Sequence, residues 1–161
     1  MLLIDISASL DFGSGQLSQR EQMTEIAATL AFSAMRNNDK IGALFFSDKV
    51  EKYIPPAKGK GHILRIIREL LTIEPESRGT SIGTGLEYFL RVMRKRSVAF
   101  LMSDFLSSED YSPLLKRANQ KHDLVAVQIY DKRMVELPNV GWMKLEDAES
   151  GHQQYVNTAS K

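Results

Sequence analysis

Cysteine is absent from the 161 residues, which excludes a disulfide framework and any thiolate metal site. That fits a reducing compartment, and the expected location is cytoplasmic, though the parent chain could be attached to a membrane. No apolar run approaches the ~20 residues needed to cross a bilayer. An excess of charge is missing as well: 21 Lys and Arg face 20 Asp and Glu, a net charge of +1. So even a balance gives no reason to expect a nucleic-acid partner or direct membrane contact. Histidine is scarce, and His62, His122 and His152 show neither metal-ligand spacing nor a Ser/His/Asp constellation. What is plentiful is apolar content, 43%, enough for the core of one domain.

Apolar strand patterns alternate with amphipathic helical ones, the signature of a sheet covered on both faces. The first strand is expected at Leu2 to Ile6, followed by a helix in "LSQREQMTEIAATLAFSAMRNND". Ser18 and Glu21 have the spacing of a capping box for its start. "KIGALFFSD" and "VEKYI" are strands joined by so short a turn that they must be antiparallel, with "VEKYI" at an edge. "PPAKGKG" reads as loop, "HILRIIRELL" as helix, and "SRGTSIGTGLEYFLRVMRKR" as a loop turning into a helix. The basic end of that helix offsets the negative end of its dipole. "SVAFLM" and "DLVAVQIYD" are expected as central strands, with "YSPLLKRANQ" a helix between them. The tail is expected to form a last strand or a hairpin turning at Glu149-Ser150-Gly151, with Trp142 packed. The sum is a doubly wound, mostly parallel six-stranded sheet with one antiparallel edge strand and helices on both faces. It reads as a single domain, residues 1–161, cut from a longer chain.

Ligands of doubly wound sheets bind outside the carboxyl ends of the strands, where strand order reverses. The first strand ends in "DISAS" and the "SVAFLM" strand in "SDF". If the two are neighbours, Asp5, Ser7, Ser9 and Asp104 meet at one edge. The "RGTSIGTG" loop would add Thr80 if it lies at the same end. Two carboxylates and three hydroxyls form an all-oxygen set suited to a hard cation such as Mg²⁺, with Mn²⁺ and Ca²⁺ as alternatives. Neutral hydroxyls leave such a metal electrophilic towards one more carboxylate from outside. The bland alternatives are a strand-end turn for "DISAS" and Asp104, and a helix cap for Thr80 or Ser81.

"DISAS", then "GT" opening a helix, then a strand ending in "SD" resembles the metal-ion-dependent adhesion site of von Willebrand factor A domains. By that resemblance Ser7, Ser9 and Thr80 coordinate a metal directly, while Asp5 and Asp104 act directly or through water. "DFGSG", "GALFFSDKVEKYIPPAKGKGHILRIIREL", "HDLVAVQIYD" and "ELPNVG" further resemble a bacterial subgroup, domain of unknown function fifty-eight. That subgroup is often encoded beside MoxR-type AAA+ ATPases, which implies such an ATPase as partner. The function implied is a non-enzymatic, metal-dependent module that binds an Asp or Glu of another protein. The competing reading is a Mg²⁺-dependent phosphohydrolase of haloacid-dehalogenase type with Asp5 as nucleophile. That chemistry needs an acid/base two residues later, and Ser7 stands there.

Overall fold

A computed structural model describes residues 1–11, 18–77, 79–130, 139–146 and 151–159. Its elements are β1 (Leu2–Asp5), α1 (Gln19–Arg36), β2 (Ile41–Phe46), β3 (Val50–Ala57), α2 (Lys60–Thr72) and α3 (Ile82–Val92). They continue with β4 (Val98–Ser103), α4 (Ser112–Lys121), β5 (Asp123–Gln128), β6 (Trp142–Glu146) and β7 (Gln153–Asn157). Five strands form one sheet in the order β3-β2-β1-β4-β5, in which only β3 runs antiparallel to its neighbour. The chain winds from β1 outward to β3 and then crosses back to β4. Strand order therefore reverses between β1 and β4, which lie side by side with Leu3 opposite Leu101.

Alternation along the strands divides the core into two layers. Leu2, Ile4, Phe45 and Met102 face α1 and α2, whereas Leu3, Leu44, Phe46 and Leu101 face α3 and α4. The start of α1 is the capping box its sequence announces: Ser18 Oγ accepts from Glu21 N–H, and Glu21 returns a carboxylate to Ser18 N–H at 2.7 Å. Gly61, in the first turn of α2, has open space where a Cβ would stand. Gly61→Ala should therefore stabilise the domain by about 0.5 kcal/mol, by restricting the unfolded chain. A urea midpoint unchanged or lowered by this variant would contradict that.

Several sequence expectations are corrected. β3 continues through Pro55-Pro56 to Ala57, because an edge strand tolerates residues without an N–H where its register is irregular. β5, expected to be central, is an edge strand among the described residues, and Val125 on it is 43% exposed. Among the described residues the main sheet has no sixth strand. β6 pairs with β7 in a separate two-stranded sheet, where Trp142 is 73% exposed rather than packed. The pairing partner of β6 is β7, with Trp142 opposite Asn157 and Glu146 opposite Gln153. Glu149 and Ser150 of its expected turn lie outside the described residues, and Gly151 has a left-handed φ of 69°.

Candidate metal centre at the carboxyl edge of the sheet

β1 delivers Asp5 to the point where strand order reverses, with its backbone opposite Phe46. There the chain leaves extended geometry for one turn of 3-10 helix, Ala8–Asp11. The turn folds Ser7 and Ser9 onto each other, with their hydroxyl oxygens 3.1 Å apart. Asp5, Ser7 and Ser9 are all buried, at 0%, 0% and 9% exposure. Both oxygens of Asp5 are engaged. Oδ1 accepts from Ser7 N–H at 2.9 Å, and Oδ2 accepts from the Ser103 hydroxyl at 2.6 Å.

β4 delivers Asp104 to the same edge, 2% exposed. The turn after it is tight. Phe105 has a left-handed φ of 61°, uncommon for a bulky side chain, and Leu106 N–H donates to Asp104 Oδ1 at 2.9 Å. Asp104 Oδ2 is buried without a hydrogen-bond partner. Burial pushes the Asp5 carboxyl up to about 6; hydrogen bonds from Ser103 and Ser7 oppose the rise and the Asp104 charge adds to it. An orphaned carboxylate oxygen whose charge bears on a second buried carboxylate is costly. A cation between them would offset that cost, so the donor set fits a hard metal ion.

The loop ahead of α3 lies at this edge too. Ser81 N–H donates to Ser47 O at 2.9 Å, just past the end of β2, and the Gly79 backbone stands against Asp48. Ser81 is the cap of α3, accepting from Thr84 N–H at 3.1 Å. The capping role considered for Thr80 thus falls to its neighbour. Thr80 is half-buried in this loop and has interactions of its own.

Two residues not foreseen in the sequence shape the edge. Ser103 holds Asp5, and it had a readable signal as a hydroxyl at a strand end beside Asp104. Glu109 had none. Its carboxylate accepts from Gly83 N–H at the start of α3 and lies 3.1 and 3.2 Å from Ser81 Oγ. It therefore ties the loop that carries Asp104 to the loop that carries Thr80. Among the described residues no three His, Cys, Asp or Glu side chains cluster as a metal site. The chemistry offered is carboxylate plus hydroxyl. It suits a phosphohydrolase poorly, because the oxygens of Asp5 are held by donors and residue 7 is a serine.

A mostly parallel sheet, one antiparallel edge strand and flanking helices define the von Willebrand factor A-type fold. A crystal structure of an aerotolerance-related membrane protein from Bacteroides fragilis is similar over 98% of this chain and 80% of that one, with a TM-score of 0.69 and 17% identity. Proximal thread matrix protein 1 from the mussel byssus, solved with a zinc-occupied MIDAS motif, aligns over 79% of this chain and 36% of its own, with a TM-score of 0.59 and 21% identity. These likenesses concern the fold. Residues 1–161 match the family described as "Protein of unknown function DUF58", and the chain belongs to that family. The uncharacterized protein Rv1480 of Mycobacterium tuberculosis is 31% identical over 152 residues, which cover 93% of this chain. The chain spans about half, 48%, of that relative's length.

Proposed function

We propose that this domain is a non-enzymatic interaction module that holds Mg²⁺ through Asp5, Ser7, Ser9, Thr80 and Asp104. The observation that carries the reading is the buried, unpartnered Asp104 Oδ2 beside the buried Asp5. The zinc-occupied MIDAS of the mussel protein supports it from a related fold. When bound, the metal would supply an electrophilic position for one outside carboxylate. A protein partner presenting Asp or Glu fits that position, and a MoxR-type AAA+ ATPase is the partner proposed. Mn²⁺ and Ca²⁺ suit the same all-oxygen set. The domain is proposed to work in the cytoplasm as part of a longer chain. The membrane protein among its structural neighbours supports attachment of that parent to a membrane.

The test is a Mn²⁺ titration followed by amide NMR, with Mg²⁺ as competitor. Paramagnetic broadening should begin at residues 5–9, 80–81 and 104 and be reversed by Mg²⁺. Broadening that starts elsewhere, or none at millimolar metal, would overturn the metal assignment. For the partner, Asp5→Ala and Thr80→Ala should abolish capture of the ATPase while leaving the fold intact. Equal capture with and without chelator would remove the metal from the interaction.

A further inference from the structure

The net charge of +1 averages over two very different edges. The carboxyl edge, besides Asp5 and Asp104, carries Glu109 at the α3 start and Asp48 and Glu51 after β2. Glu51 Oε1 there accepts from Ser47 Oγ at 2.6 Å and from Glu76 N–H at 3.1 Å. The amino edge is the reverse. α1 ends there at Arg36, Lys40 precedes β2, and Lys58 and Lys60 follow Ala57, which pairs with Ile41. Arg94 and Lys95 lie beyond the last residue of α3 on the approach to β4. The basic residue within the last turn of that helix is Arg91, and Arg94 and Lys95 add two further positive charges just past its cap.

These six cations are all exposed, and none makes a side-chain hydrogen bond or ion pair among the described residues. Arg96 beside them is paired with Asp123 at 2.6 Å, which leaves Asp39 as the other acid of this edge. They spread from β3 to β4, three strand spacings or ~15 Å, on long flexible stems. A cleft of about 750 Å³ opens among them, lined by Lys40, Arg94 and Lys95 together with Met93 and Val98, the last 50% exposed.

We propose that this amino edge binds an anionic phospholipid surface, independently of the metal reading. Diffuse unpaired Lys and Arg interleaved with aliphatic side chains suit the boundary between headgroups and acyl chains. A single-stranded nucleic-acid surface would place exposed aromatic side chains among the cations for base stacking, whereas the aromatic that lines the cleft, Phe100, is half-buried and packed against the core. A six-residue strand is ~20 Å long, about twice the ~8–10 Å Debye length at physiological salt. The two edges therefore act separately. The basic one is drawn to the bilayer and the acidic one repelled, so the carboxyl edge faces away from the lipid towards soluble partners.

The experiment is co-sedimentation of the 161-residue chain with vesicles of phosphatidylcholine, with and without phosphatidylglycerol. Binding should require phosphatidylglycerol and fall away at high salt. The double variants Arg94→Gln/Lys95→Gln and Lys58→Gln/Lys60→Gln should each lower the partition coefficient about twenty-five-fold, at roughly fivefold per basic residue. Lys49→Gln at the opposite edge should leave it unchanged. All these side chains are exposed, so circular dichroism should report an unaltered fold. Equal binding to both vesicle types, or double variants that bind like the wild type, would overturn the proposal. So would displacement from the vesicles by a duplex oligonucleotide bound more tightly than lipid, which would make nucleic acid the partner.

Discussion

Asp104→Asn will leave the metal-free domain at least as stable as the wild type and abolish its stabilisation by Mg²⁺. In the wild type Asp104 is 2% exposed, Oδ2 has no partner, and its charge adds to the upward push that burial gives the Asp5 carboxyl. Neutralising it removes a like-charge repulsion, while the amide oxygen can still accept from Leu106 N–H. A ligand present at a hundredfold excess over its dissociation constant stabilises the folded state by about 2.7 kcal/mol. For a domain of this size that raises the unfolding temperature by about 5–10 °C. Thermal melts of both proteins, with EDTA and with saturating Mg²⁺, give the answer directly. A variant that keeps the Mg²⁺ shift would take Asp104 out of the metal centre. A wild type without any shift would count against the whole assignment.

Gly42→Ala will destabilise the domain by about 3 kcal/mol, the upper end of what overpacking a core costs. A Cβ at Gly42 would stand 2.6 Å from Ile54 O and 2.8 Å from Pro56 N. Both are backbone atoms of β3, so no side-chain rotation can make room. Gly85 offers a useful contrast. A Cβ there meets the ring of Phe46 at 2.9 Å, and combining Gly85→Ala with Phe46→Leu should recover part of the loss of the single variant. No second-site change on a side chain can do the same for Gly42. Urea midpoints of the three variants test this, and a midpoint for Gly42→Ala near that of the wild type would show that β3 can move aside. The register irregularity between Ile41 and Ala43 is at this glycine, so loss of the residue also threatens the pairing that turns the chain back at the edge.

Much of this was legible in the sequence. Short continuous apolar runs announced β1, β2 and β4, and a period of about three and a half residues announced α1, α2 and α3, because burial on both faces or on one leaves its mark residue by residue. The box at Ser18 and Glu21 was equally local. So was the short connection of Ser47, Asp48 and Lys49, which permits only an antiparallel pair. The carboxylates and hydroxyls of "DISAS" could be read as a set for the same reason: a few consecutive residues leaving one strand must stay together.

The tertiary structure decided what depends on distant neighbours. An apolar run such as "DLVAVQ" has the composition of a central strand, yet whether another strand lies beyond it is a matter of topology, and β5 ends at an edge. Pro55-Pro56 looked like loop because a proline breaks an interior ladder, and only the position of β3 at the other edge allows the strand to run through. Asp104 is 99 positions from Asp5 in sequence order, and the crossover from β3 to β4 makes β1 and β4 neighbours. The orphaned Oδ2, the Ser103 hydroxyl on Asp5 and the Glu109 latch on α3 all follow from that crossover. Net charge is a sum, and sums carry no position. The sheet sorts Lys58, Lys60, Arg94 and Lys95 to one edge and Glu51, Asp104 and Glu109 to the other, because each connection returns the chain to a defined end of the next strand.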